Sequence, residues 1–166
     1  METIISFDPV IGVGAKVLIL GTMPGVKSLE VNEYYGFDRN QFWRIMGDLF
    51  LFNQELSYEE RKSELVKNKV ALWDVIHSCK REGSLDKNIY DIEVNDIVGF
   101  VKANPSITTA ILNGGKARDI YMKHFNDKLM GIKAITLYST SPANAIKYEK
   151  KLEQWRVIKD IVIISD

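Results

Sequence analysis

Four short clusters hold the side chains best suited to chemistry. They are Gly21-Thr22-Met23-Pro24-Gly25, Asp74 with His77 and Ser78 just beyond it, Asn113-Gly114-Gly115-Lys116, and Ser139-Thr140-Ser141-Pro142-Ala143-Asn144. A carboxylate, several amides and hydroxyls, and glycines that let backbone approach a ligand closely can together grip a polar ligand. Any one cluster alone reads as an ordinary turn, because Gly, Pro, Asn and Ser dominate turns. Their shared context changes that reading. Each follows directly on a short apolar run: Val17-Leu18-Ile19-Leu20, Val70-Ala71-Leu72-Trp73, Ala110-Ile111-Leu112 and Ala134-Ile135-Thr136-Leu137-Tyr138. In an open parallel sheet the C-terminal strand ends lie along one edge, and ligands bind there. The four clusters are therefore expected to converge on one crevice.

The elements that position them follow from the patterning. The apolar runs are continuous rather than alternating, as in strands covered on both faces of a parallel sheet. Between them lie helical patterns. Phe42, Ile45, Met46, Leu49 and Phe50 share one face, with Asn40 able to cap that helix, and Ser57 and Glu60 have capping-box spacing. Asp91 is read as the cap of a helix through Ile97, Val98 and Val101. A last long helix carries Tyr148, Leu152, Trp155 and Ile158, with Pro142 in its first turn and Ser141 as its cap. Alternating strands and helices predict an α/β fold: a three-layer α/β/α sandwich around a central, mainly parallel four-stranded sheet. One domain is expected over residues 1–166.

Composition narrows the function classes. The 22 Lys+Arg balance 22 Asp+Glu, so a polybasic nucleic-acid coat is excluded, and any contact with DNA is expected to be narrow. Cys79 is the only cysteine, so no disulfide framework, iron–sulfur cluster or Cys-rich zinc site can be built from this sequence alone. His77 and His124 are too few for a His-based metal site. Gly21, Gly25, Lys27 and Ser28 miss the P-loop spacing, and Gly12-Val13-Gly14 precedes its strand rather than following it. Asp8 and Lys16 interrupt the N-terminal apolar stretch, so neither a signal peptide nor a membrane span is expected, and the protein is read as cytoplasmic.

Longer motifs carry a resemblance. Gly21-Thr22-Met23-Pro24-Gly25, Ser28-Leu29, Tyr34-Tyr35-Gly36 and Arg39-Asn40-Gln41-Phe42-Trp43 resemble the first motif of the deoxyinosine (hypoxanthine)-DNA glycosylase branch of the uracil-DNA glycosylase superfamily. Leu72-Trp73-Asp74-Val75 continuing through Ser78 to Asp86, then Asn113-Gly114 with Lys116-Ala117, are similar to its second and third blocks. Ser139 to Asn144 resembles the superfamily's intercalation motif. The match spans roughly residues 16 to 160 in order. Phe37 and Asp38 stand where the branch usually has His-Pro, and Thr22 stands where Ser is common.

The resemblance implies hydrolysis of an N-glycosidic bond in damaged DNA, a step that needs an extruded nucleotide, stabilised charge on the leaving base and a placed water. It implies no metal or redox cofactor. Asn40 is the implied catalytic residue, holding the attacking water; the alternative is that Asn40 only caps its helix. Other branches carry a catalytic Asp or Asn where this chain has Met23. Thr22, Met23, Tyr35, Asp74 and Asn113 are the implied base-binding residues, with Tyr35 stacking on the base and Asp74 and Asn113 at its edge. A core tyrosine, a helix cap and a turn are the respective alternatives. Gly25, Ser139, Ser141, Pro142, Ala143 and Asn144 are the implied DNA-binding residues, Pro142-Ala143 filling the gap left by the flipped nucleotide. Asp38 is a loop residue or an assisting base. Lys116, Lys147, Lys150 and Lys151 could touch phosphates, and Trp43, Trp73 and Trp155 are assigned to the core. No lysine is placed for Schiff-base chemistry, so the expected enzyme is monofunctional; separately, a monomer is expected. The competing reading is a non-catalytic nucleic-acid or nucleotide binder on the same fold.

Overall fold

The structure, a computed structural model, describes residues 1–164; Ser165 and Asp166 of the expected domain lie outside them. The strands are β1 (Ile4–Ile5), β2 (Val17–Gly21), β3 (Val70–Asp74), β4 (Ile76–Lys80), β5 (Tyr90–Val94), β6 (Thr109–Asn113) and β7 (Lys133–Leu137). The helices are α1 (Val26–Val31), α2 (Phe42–Phe50), α3 (Tyr58–Lys67), α4 (Ile97–Ala103), α5 (Gly115–His124), α6 (Tyr148–Trp155) and α7 (Val157–Ile164).

The four apolar runs form the expected parallel sheet, in the order β3-β2-β6-β7. Successive side chains of a strand point to opposite faces, and each face has its own core. Leu18, Leu20, Ala71, Ala110 and Leu112 pack with Ile97, Val101, Ala117, Ile120 and Tyr121 of α4 and α5. Val17, Ile19, Val70, Leu72, Ile111 and Leu137 pack with Phe42, Ile45, Met46, Leu65, Trp155 and Ile158 on the other side. The result is the expected α/β/α sandwich. Val17 to Leu20 are fully buried, each contributing about 1.5–3 kcal/mol of burial, and this explains their unbroken apolar run.

Three expectations are corrected. First, the chain builds a second sheet, antiparallel and ordered β1-β4-β5, which the apolar runs do not announce. Asp91 lies inside β5 and caps nothing; Asp96 caps α4, its Oδ1 accepting from Gly99 N at 2.9 Å. Second, the last helix begins at Tyr148 rather than at Pro142, because Ser141 Oγ accepts from Ala143 N (3.1 Å) and Asn144 Oδ1 from Ile146 N (3.0 Å). Such side-chain turns compete with helix for the backbone. Third, that helix is two pieces, α6 and α7, separated at Arg156. The two sheets join where Asn95 Nδ2 donates to Asp74 O (2.8 Å) and Ile76 O (3.1 Å).

Candidate active site

Register sets the floor of the site. Gly21 and Asp74 end β2 and β3 side by side, and Asn113 ends β6 beside Leu137. A cleft of about 530 Å3 opens over these ends. Every implied site residue lines it: Asn40, Thr22, Met23, Tyr35, Asp74, Asn113, Gly25, Ser139, Ser141, Pro142, Ala143 and Asn144. Thr22, Met23, Asp74 and Asn113 are buried, whereas Pro142 and Ala143 are exposed. The cleft thus grades from a closed floor to an open lip. His77 is exposed on β4 and is not part of the lining. A wider surface groove of about 710 Å3, between Phe7-Asp8 and Tyr58, holds none of the implied residues.

Glycine at position 21 is required by close approach. A Cβ there would lie 2.5 Å from Asp74 Oδ1 and 2.8 Å from the Tyr35 hydroxyl. Tyr35 itself is left-handed, with φ of 53°, a conformation uncommon outside glycine and often held at functional sites. Two contacts hold it. Its ring meets Phe42 edge to face at 4.2 Å, and its hydroxyl accepts from Asn113 Nδ2 at 3.0 Å. Asn113 Nδ2 also donates to Thr140 Oγ1 (3.1 Å), and Asn113 Oδ1 accepts from Thr140 N (3.0 Å). With both its N–H donors engaged, Asn113 stands as a positioning group, tying the Tyr35 loop to the 139–144 segment.

Asn40 lies in the cleft and also bonds the start of α2, just ahead of the Gln41 cap position. Its Oδ1 accepts from Phe42 N at 3.0 Å at the start of α2, and its side chain lines the cleft. That bond uses the carbonyl oxygen and leaves the amide N–H groups out of it. Gln41 N, next along, donates to Thr140 O at 3.0 Å, which fixes Asn40 against the 139–144 segment.

Of the lysines, Lys151 departs from its expected role. It is 1% exposed, and its Nζ donates to Ser141 O (3.4 Å) and Asn144 O (3.1 Å). It supports the loop from beneath and does not reach phosphate. Lys147 and Lys150 are exposed, and Lys116 is half-buried.

The sequence assigns Ser84, Leu85 and Asp86 to a motif but to no task, yet all three line the cleft, as does Phe37. Their loop is locked to the first one. Val26 N donates to Ser84 Oγ (2.9 Å), and the buried Arg81 donates to Pro24 O and Gly83 O (each 2.7 Å). Leu85 and Phe37 remain exposed, at 46% and 40%. Their signal in sequence was only their place within the motif blocks.

Two carboxyls therefore share the cleft. Burial, then the neighbouring Asp86, push Asp74 up to about 7, with Arg81 pulling the other way. Its Oδ2 is buried and, among the described residues, has no hydrogen-bond partner. Asp86 is also raised by its desolvated setting, against the Thr22 hydroxyl, Arg81 and Lys116. Burial and Asp74 raise the Tyr35 phenol, which keeps its proton. Among the described residues no group of three His, Cys, Asp or Glu side chains could hold a metal ion, and no helix is long and apolar enough to cross a membrane.

A parallel sheet whose strand-end loops enclose a cleft places its ligand site where open α/β folds bind their ligands. Residues 9–161 match the Uracil DNA glycosylase superfamily, and the chain belongs to that superfamily. This places it among DNA glycosylases. It is 34% identical over 150 residues to a hypoxanthine DNA glycosylase of Methanosarcina barkeri, covering 90% of this chain and 93% of that protein. A second hypoxanthine DNA glycosylase, from Methanosarcina acetivorans, is 33% identical over 153 residues, or 92% and 95% of the two chains. The solution NMR structure of a candidate uracil DNA glycosylase from Methanosarcina acetivorans superposes with a TM-score of 0.85 at 32% identity, covering 96% of this chain and 99% of that one.

Proposed function

We propose that the chain is a monofunctional, monomeric DNA glycosylase that hydrolyses the N-glycosidic bond of a deaminated base, hypoxanthine first, in base excision repair. The observation that carries this reading is one cleft lined together by Asn40, Tyr35, Asp74 and the 139–144 loop. The similarity to hypoxanthine DNA glycosylases supports the choice of base. The flipped base enters over Tyr35, where stacking contributes about 1–3 kcal/mol and accepts either ring size. Ser139 to Asn144 follows the DNA backbone, and Pro142-Ala143 presses into the vacated stack.

Bond cleavage leaves a cationic sugar and a negatively charging base. The amide of Asn40, oriented by its bond to Phe42 N, holds a water against the sugar. Fixed donors around the base stabilise the leaving charge without reorganising. Met23 is apolar and buried in the first loop, so it neither accepts a proton nor orients water, and this work falls to Asn40.

The test is a lesion panel. Purified protein given a hypoxanthine-containing duplex in EDTA should generate alkali-sensitive abasic sites, at a higher rate than on uracil. Inactivity on hypoxanthine and uracil, in single and double strands, overturns the reading. Tight lesion binding without product would establish the non-catalytic binder in its place.

A further inference from the structure

The loop between β4 and β5 carries one apolar side chain to the lip of the cleft. Between Cys79 and Ile89, Leu85 is the only apolar side chain in a polar, charged run. It is exposed and lines the cleft. A single exposed leucine is ordinary, but the backbone around this one is fixed on both sides. Arg81 Nε donates to Gly83 O (2.7 Å), Val26 N to Ser84 Oγ (2.9 Å), Asn88 N to Leu85 O (3.0 Å) and Asn88 Nδ2 to Glu82 O (3.2 Å). The polar bonds of its neighbours, rather than its own burial, thus set where Leu85 stands.

The mouth around it is built for base faces rather than phosphates. Among the described residues that line the cleft, Lys27 is the one cation, and it pairs with Glu30 at 3.6 Å. Asp74 and Asp86 are the acids of the same lining. So little positive charge gives weak attraction for phosphate. Five exposed apolar side chains, Val26, Phe37, Leu85, Pro142 and Ala143, stand along the lining instead. Apolar surface gains by meeting apolar surface. The apolar surface that DNA offers is the face of a base, which an apolar wedge reaches by parting the stack.

We propose that Leu85 is a second wedge, pressing on the base next to the extruded nucleotide, on the same strand, and holding the stack open from the side opposite Pro142-Ala143. This rests on the glycosylase reading above and adds to it a specificity-determining residue that acts on paired DNA. The supports of the two lips lie on opposite sides of the cleft floor. The Leu85 loop is bonded to Pro24 and Val26, which follow β2, whereas residues 139–144 follow β7, two steps along the sheet. Strands lie about 4.8 Å apart, so two steps set these supports roughly 10 Å apart, about three nucleotide rises of ~3.4 Å along one strand. That span takes in the vacated position and the neighbour on each side of it.

Single-turnover cleavage of hypoxanthine in a duplex and in the matching single strand tests this. Leu85→Gln keeps the length of the side chain and removes its apolar end. It should slow duplex cleavage about tenfold, equivalent to about 1.4 kcal/mol, and leave single-strand cleavage unchanged, because a single strand has no paired stack to hold open. Leu85→Met should restore the duplex rate. Met130→Gln, a like change at an exposed residue outside the lining, should alter neither. A readout apart from activity is the fluorescence of 2-aminopurine placed beside a hypoxanthine whose 2′-fluoro sugar resists hydrolysis. With the probe on the 5′ side in one duplex and the 3′ side in another, wild type should brighten one of them on binding, and Leu85→Gln should not. Equal loss of rate on duplex and single strand, full duplex activity in Leu85→Gln, or brightening that is absent from wild type or retained by the variant overturns the inference while leaving the glycosylase reading intact. A wild type inactive on every lesion refutes that reading, and the 2-aminopurine duplexes then decide the role of Leu85 alone.

Discussion

Asn40 gives the sharpest test, because one side chain is asked to do two separable things. Its Oδ1 accepts from Phe42 N at 3.0 Å, so that from one residue ahead of the Gln41 cap position it does the work of a cap for α2. Removing such a cap costs about 0.5–2 kcal/mol. For a chain of 166 residues a loss of about 1 kcal/mol lowers Tm by roughly 2–4 °C. Against a typical stability of about 5–15 kcal/mol, that leaves more than about 99% of the protein folded at assay temperature. Loss of the cap alone therefore cannot reduce the rate measurably. Loss of the amide that positions the water should reduce it by about a hundredfold, the scale set by misplacing a reacting group. Asn40→Ala should show both effects in thermal melts and in single-turnover cleavage. Asn40→Ser should separate them, because serine caps helices well but has no amide, so Tm should return while the rate stays low. An Asn40→Ser variant that regains most of the wild-type rate along with its Tm would reduce Asn40 to a helix cap and remove it from the mechanism.

Further outcomes follow from the same geometry. Gly21→Ala drives a Cβ to within 2.5 Å of Asp74 Oδ1 and 2.8 Å of the Tyr35 hydroxyl; it should cost about 1–3 kcal/mol in denaturant melts and abolish binding of lesion duplex. Lys151→Met keeps the buried stem but removes the bonds to Ser141 O and Asn144 O. Duplex affinity by fluorescence anisotropy should weaken about tenfold, or about 1.4 kcal/mol, and unchanged affinity would show that the loop keeps its shape without the lysine. With charges balanced at 22 and 22, few phosphates can be neutralised. The slope of log affinity against log salt should be no steeper than about −3, at about −0.9 per phosphate.

The parallel sheet was legible because β2, β3 and β6 are buried almost throughout, and that constraint writes itself as unbroken apolar runs at Val17, Val70 and Ala110; the run at Ala134 forms the edge strand β7, whose first residues are exposed. The small sheet was not. β1 has two residues, and β4 follows β3 after Val75 alone, so neither shows a run of its own. β5 did carry a signal, since Tyr90-Asp91-Ile92-Glu93-Val94 places its apolar residues at every second position; taking Asp91 for a cap obscured it. The convergence of the cleft was legible for loops that end parallel strands. Leu85 and Asp86 sit between antiparallel strands, where that rule has no reach. Lys151 looked like part of an exposed charge run, although Tyr148, Leu152 and Trp155 mark the inward face on which it lies.

The walls of the cleft are bonded to one another: the Ser84 loop to Val26, Arg81 to Pro24, the Tyr35 loop through Asn113 to Thr140, and Ser141 and Asn144 to Lys151. Walls tied together in this way are expected to keep their shape when a guest enters. On the function proposed above, the movement in recognition would fall to the double helix, whose own readiness to breathe at a weakly paired site would be the first filter on what the protein inspects.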